Sequence, residues 1–235
     1  GRNGAGKTTT VELVAGLRAA DAGTVRVAGL DPWRDRDELR QVLGMQLQSS
    51  ELPERLKVHE AMSLFASFAR RPARVDELLE EVGLVEKRDA MFRTLSGGQR
   101  QRLSIALALV GTPDVVIFDE LTTGLDPSAR RDTWRLISSV RDRGVTVVLV
   151  THFMEEAERL CDRVAVVDGG RIVDIDRPSS LVARHVPGQR IWLRPTGSME
   201  DVLRSLETLD VTDVHVEAGT LDDAFLALTG TALED

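Results

Sequence analysis

Apolar positions recur at helical spacing from Thr8 to Ala19, through Val11, Leu13, Val14 and Leu17, until Asp21-Ala22-Gly23 breaks the pattern. Short β-rich pieces follow at Thr24 to Ala28 and Val42 to Met45. Helical patterns then run from Val58 to Arg70 and from Val75 to Val82, where Gly83 stops the second. Leu103 to Val110 continues as an apolar helix that Thr112-Pro113 breaks. Asp114 to Asp119 reads as a fully buried strand with an acidic end. A helix from Pro127 to Arg143, stopped by Gly144, feeds a second such strand, Val145 to Val150. Strands alternating with helices predict an α/β core around a mainly parallel sheet.

Beyond that core, Arg163 to Asp168 and Arg171 to Ile175 flank Gly169-Gly170 and predict a hairpin. The tail changes character: strand at Arg190 to Leu193, helix at Ser198 to Leu206, strand at Val211 to Glu217, helix at Leu221 to Leu228. With Pro178, Pro187 and Gly188 nearby, a domain boundary is expected close to residue 185. Residues 1–184 would form one unit, and residues 185–235 a small α+β accessory domain.

The totals narrow the partners. Of 235 residues, 42% are hydrophobic and 29% charged, enough to build a core. Lys and Arg total 30 against 38 Asp and Glu, a net charge of −8, so nothing global favours wrapping a nucleic acid. Cys161 stands alone, which excludes an internal disulfide within these residues; it is expected to pack as a small apolar residue in a helix. No apolar run approaches the length of a membrane span.

Three stretches carry chemistry. Gly1-Arg2-Asn3-Gly4-Ala5-Gly6-Lys7-Thr8 spells a phosphate-binding loop: its glycines let backbone N–H groups close on phosphate oxygens, and the following helix points its positive end at them. Asn3, Gly4, Ala5, Gly6, Lys7, Thr8 and Thr9 would hold nucleotide, with Lys7 reaching the outer phosphates and Thr8 offering its hydroxyl to Mg²⁺. Val115 to Glu120 puts two acids at the carboxyl end of a strand, where α/β proteins bind ligands. Asp119 would hold the metal through water and Glu120 would polarise an attacking water; taken alone, the pair also reads as two surface acids ending a core strand. Leu95-Ser96-Gly97-Gly98-Gln99 enters a helix and offers a second phosphate grip. One nucleotide does not need two grips from one chain.

With GxxGxGKT, LSGGQ and a hydrophobic strand ending in Asp-Glu, residues 1 to about 180 resemble the nucleotide-binding subunits of ABC transporters. The resemblance implies a P-loop NTPase fold of the ABC ATPase type, with a helical subdomain over about residues 49–110 that carries LSGGQ. It implies ATP and Mg²⁺ as ligands. It also implies a head-to-tail pair, in which Ser96, Gly97, Gly98 and Gln99 of one copy close over ATP on the loop of the other. Gln48 matches the glutamine that senses magnesium and faces the membrane partner, with Gln46 as the competing choice. Asp126, in Gly124-Leu125-Asp126, resembles the aspartate that crosses the dimer interface. His152 resembles the switch histidine on the γ-phosphate, where neutral imidazole can donate to phosphate or orient water. Leu121 departs from the proline that the family writes after Asp-Glu, which puts local loop geometry in question. His59, His185 and His215 have no such context and are expected at the surface or in packing.

Thr220 to Gly230 is similar to the ending of the drug-resistance, daunorubicin-exporter-like subfamily; its plainer reading is an amphipathic helix whose Leu221, Phe225 and Leu228 pack on the domain. The implied protein is a peripheral ATPase at the cytoplasmic face of the membrane, powering export through separate permease subunits. Two alternatives belong to other classes: a soluble ABC-type ATPase acting on DNA or the ribosome, and a regulatory module that binds nucleotide without hydrolysis. The first lacks its long coiled coil and its second cassette here; the second sits poorly with Lys7, Asp119, Glu120, Ser96 and His152 all present. Because no strand precedes Gly1, the chain reads as an N-terminally truncated piece. Its adenine-stacking aromatic would lie outside it, and the 235 residues alone are expected to bind ATP weakly.

Overall fold

A computed structural model describes residues 1, 4–46, 52–186, 189–195, 211–218 and 220–230, with the backbone alone for 189–195 and 211–218. Three parallel strands, β1 (Leu43–Gln46), β2 (Val115–Asp119) and β3 (Thr146–Val150), form a sheet in that order. Leu43 lies opposite Val115, Val115 opposite Thr146, and Asp119 opposite Val150. All three therefore end on the same side, and the predicted parallel core is present. β2 is the central strand, with Val116, Ile117 and Phe118 fully buried between layers of helices.

Local signals set most helices. Helix α1 (Lys7–Val14) follows the glycine loop and is shorter than the pattern to Ala19 suggested. Gly16, at φ +67°, turns the chain, and a Cβ there would fall 2.2 Å from the Pro32 carbonyl oxygen. Between α1 and β1 stands α2 (Arg36–Val42), which periodicity alone did not single out. Helix α3 spans Val58–Ala66 and stops short of Arg70 in a turn where the Ser67 hydroxyl donates to the Leu64 carbonyl at 2.7 Å. Helix α4 (Val75–Glu81) ends at Gly83 as predicted. Helix α5 (Gly97–Leu109) starts at Ser96, whose hydroxyl accepts from the Gln99 N–H while Gln99 accepts from the Ser96 N–H, a closed capping box. Gly44 lets α5 lie on β1, since a Cβ there would sit 2.0 Å from the Ala108 carbonyl oxygen. Helix α6 (Pro127–Asp142) begins with proline after the capping Asp126 and buries Trp134, Ile137 and Val140 on one stripe.

Three readings of the sequence need correction. Thr24 to Ala28 forms no strand; its one bridge, Val27 to Leu30, closes a local turn, and among the described residues no strand lies alongside to take up its backbone groups. β3 is not fully buried as β2 is: Thr146 and Val148 are exposed, because β3 is the sheet's edge and its outer side lines a cleft of about 630 Å³. Cys161 caps the end of α7 (Met154–Leu160) in extended conformation rather than lying in a helix; burial pushes its thiol up to about 11.

The hairpin is present as β4 (Val164–Asp168) and β5 (Arg171–Asp176), with Gly169 and Gly170 both at positive φ, the backbone that a two-residue hairpin turn requires. Helix α8 (Pro178–His185) packs on it, and an ion-pair cluster of Asp174, Asp176, Arg184 and His185 joins the two. Strands β6 (Gln189–Pro195) and β7 (Val211–Ala218) pair antiparallel; the helix expected at Ser198 to Leu206 lies outside the described residues. Helix α9 (Leu221–Thr229) returns to the body. Its Leu221, Ala224 and Phe225 are buried against Met154, Ala157 and Leu181 with Leu228 alongside, and Glu158 accepts the Leu221 N–H. This second cluster is separate from the main core around Met62, Leu79, Leu103, Ile105, Phe118 and Ile137.

Candidate functional site

The glycine loop is held from behind by the β4–β5 turn. The Gly170 N–H donates to the Ala5 carbonyl at 3.0 Å, and Ala5 is buried. A Cβ on Gly1 would come 2.3 Å from the Val167 carbonyl oxygen. Gly4 and Gly6 adopt φ +77° and +101°, left-handed conformations that suit glycine and let the loop backbone curve. Gly6 is the N-cap of α1, no side chain caps that helix and no acid lies in its first turn, so its N–H groups and dipole favour an anion there. Lys7 donates to the Gly1 carbonyl, while Thr8 and Thr9 stay exposed on the first turn. Asn3 lies outside the described residues. By sequence Gly169-Gly170 is a turn and no more; nothing local announces that it buttresses the loop.

Asp119 ends β2 and is buried. Burial, then the neighbouring Glu120, push its carboxyl up, and Lys7 pulls it back. Glu120 follows at φ +51°, an uncommon conformation for a non-glycine residue, pinned by its N–H donating to the Val150 carbonyl at 2.8 Å. Leu121, where the family writes proline, is buried in the main core. His152, two residues past β3, brings Nδ1 to 3.5 Å from Glu120 Oε1, and both side chains are mostly buried. The His152 ring stacks at 4.1 Å on Phe153, whose other neighbour is the Arg130 guanidinium at 4.8 Å. The interaction between Lys7 and Asp119 and the contact of Glu120 with His152 gather four of the predicted residues at the carboxyl ends of β2 and β3.

Gln48 lies outside the described residues, so its place relative to Asp119 is not part of this geometry. Gln46 is described: it ends β1 opposite Phe118 and is buried. Two other predicted elements meet each other. A Cβ on Gly98 would touch the Ala129 Cβ at 3.4 Å, setting the start of α5 against the first turn of α6. Ser96 and Gly97 are exposed there, with Gly98 and Gln99 half-buried. Asp126 accepts from the N–H groups of Ser128 and Ala129 at 2.9 and 3.0 Å, bonds that hold its carboxyl below the usual range. Among the described residues no cluster of three or more His, Cys, Asp or Glu could hold a metal by itself, and no helix is long and apolar enough to cross a membrane.

Comparison with known proteins agrees with this arrangement. Residues 1–123 match the family profile described as ABC transporter. The chain is 36% identical to a Nod factor export ATP-binding protein I of Ralstonia nicotianae, over 100% of this chain and 85% of that one. It is 35% identical to a daunorubicin resistance ATP-binding protein of Streptomyces coeruleorubidus, over 98% and 85%. A solved ATP-binding subunit of an ABC transporter shares the fold at TM-score 0.71 and 23% identity, covering 96% of this chain and 84% of that one. A phosphate loop, an acidic strand end and a histidine converging at the carboxyl end of the sheet thus coincide with kinship over the full chain length, and the chain belongs to the ATP-binding family of ABC transporters.

Proposed function

We propose that this protein hydrolyses ATP to power export of a drug-like or other hydrophobic compound through separate membrane permease subunits. The observation that carries the hydrolytic reading is the His152–Glu120 contact at the open end of the sheet, next to Asp119 and the Lys7 loop. In this reading the α1 N-terminus and Lys7 bind the outer phosphates. Glu120, held at a fixed φ, accepts a proton from the attacking water. His152 uses Nδ1 toward Glu120 and leaves Nε2 for the γ-phosphate.

A metal fits the residues present. Asp119 is a buried carboxyl beside a second acid, whose repulsion a cation would relieve, and the exposed Thr8 follows Lys7, whose charge acts on Asp119, in the first turn of α1. Asp119, Thr8 and Gln48 would hold Mg²⁺, which when bound neutralises charge on the transferring phosphoryl group. Mg²⁺ sites commonly take one or two carboxylates from the protein and the remaining ligands from phosphate oxygens and water.

Ser96, Gly97 and Asp126 are exposed, and the start of α5, with half-buried Gly98 and Gln99, lies against the first turn of α6 that Asp126 caps, an arrangement that suits a second copy docking head to tail over the loop. Closure on ATP and reopening after hydrolysis would shift the permease between two states, placing the protein peripherally at the cytoplasmic face of the membrane. The export assignment follows the names of the relatives. Residues 185–235 would form an accessory unit docked through α9.

In the full-length protein, Glu120→Gln should retain ATP binding, lose turnover by about a hundredfold or more and accumulate as a closed dimer on ATP. Near-normal turnover would sink the assignment.

A further inference from the structure

Glu156 is the most deeply buried acid described, with no exposed surface, and it sits in the first turn of α7. Its Oε1 accepts the indole N–H of Trp134, a buried residue in the middle of α6, at 3.0 Å. Its Oε2 is buried without a hydrogen-bond partner among the described residues. Arg159, one turn on, lies over the same indole with its guanidinium carbon 5.2 Å from the ring centroid. A hydrophobic residue of similar volume would fill this position without burying an incompletely satisfied carboxylate. The acid therefore does something other than add stability.

Its place in the chain says what. His152 lies between two anchors. On one side, Val150 is paired with Asp119 across the sheet, and its carbonyl accepts the Glu120 N–H. On the other side, α7 begins at Met154, and the Glu156–Trp134 bond ties its first turn to α6. Arg130, one turn before Trp134 on α6, packs on Phe153, which in turn packs on His152. The imidazole is thus aimed at Glu120 by β3 from one end and by α6 from the other.

We propose that Glu156 is a positioning residue for His152, acting through Trp134. The proposal rests on the hydrolytic role of His152 and Glu120 given above. It makes the α6–α7 contact a determinant of turnover rather than of nucleotide affinity, because Glu156 bonds to Trp134 on the helix that supports the histidine and to none of the described residues of the phosphate loop.

The test measures steady-state ATPase kinetics and Tm on the full-length protein. Glu156→Leu and Trp134→Phe should each lower kcat by about tenfold or more while KM for ATP stays within about twofold. Glu156→Gln keeps an acceptor for the indole and should recover most of the turnover. Because both residues act through one bond, the double variant should be no slower than the worse single. In a His152→Ala background, Glu156→Leu should add no further loss. Unchanged kcat in Glu156→Leu and Trp134→Phe, or a Gln variant as impaired as the Leu variant, overturns the proposal while leaving the role of His152 intact. Should Glu156→Leu fail to fold, Trp134→Phe, which keeps the buried ring, decides the matter by the same criteria. Full turnover in His152→Ala alone overturns both readings.

Discussion

Asp119 shows how one residue can serve function against stability. Burial and the adjacent Glu120 raise its carboxyl above the ordinary range. A carboxyl with a higher pKa folded than unfolded binds its proton more tightly in the folded state. Stability is therefore lost as pH rises from the unfolded value through the folded one, and the full penalty applies above both. Asp119→Asn removes the charge with little change of shape. It should raise the Tm of nucleotide-free protein at neutral pH while abolishing turnover, with the Tm difference shrinking as pH falls toward about 4 and gone below it. A lower Tm for Asp119→Asn at neutral pH would show that the carboxylate is satisfied in the folded state and that this electrostatic account is wrong. Asp126 has the opposite sign: two N–H donors favour its charged form, so its capping contribution is present above the ordinary carboxylate range and fades on acidification.

Among the elements, α9 has the clearest consequence. Its capping box at Thr220 and Asp223 starts it, and Gly230 at φ +71° ends it, both legible in the sequence. What it packs on is not. Phe225, 1% exposed, reaches Met154 and Ala157 of the helix that follows His152. Phe225→Ala should cost about 3–5 kcal/mol in chemical denaturation, with α9 released first in hydrogen exchange. A loss below 1 kcal/mol would mean that α9 is only loosely docked.

At the scale of the whole molecule, the exposed start of α5 and the phosphate loop should be halves of sites shared between two copies. Lys7→Ala disables one half and Ser96→Arg the other, so each variant alone should be inactive. Mixed, they form some pairs with one intact site, and ATPase activity should reappear on mixing. Continued inactivity of the mixture, with both proteins folded by circular dichroism, would argue against a shared site.

Much of this was written locally. The glycines of the loop, the Ser96–Gln99 box, Pro127 after Asp126, the Gly169-Gly170 turn and the apolar run of β2 act within a few residues of themselves, so pattern and spacing determine them, and with them the family. What lies across the chain had no local sign. Thr24 to Ala28 is as β-prone as a strand, but pairing needs a neighbour, and none stands beside it among the described residues. β3 has the apolar composition of a central strand, yet its burial depends on its place at the sheet edge. Glu156 is one of three glutamates within four residues of sequence, with no local sign that sets it apart; only the packing of α7 on α6 removes it from water and sets it against Trp134. Hydrogen bonding within a turn is encoded by residues in that turn. Burial and the aiming of His152 at Glu120 are set by contacts between segments far apart in the chain, and those the tertiary structure alone decided.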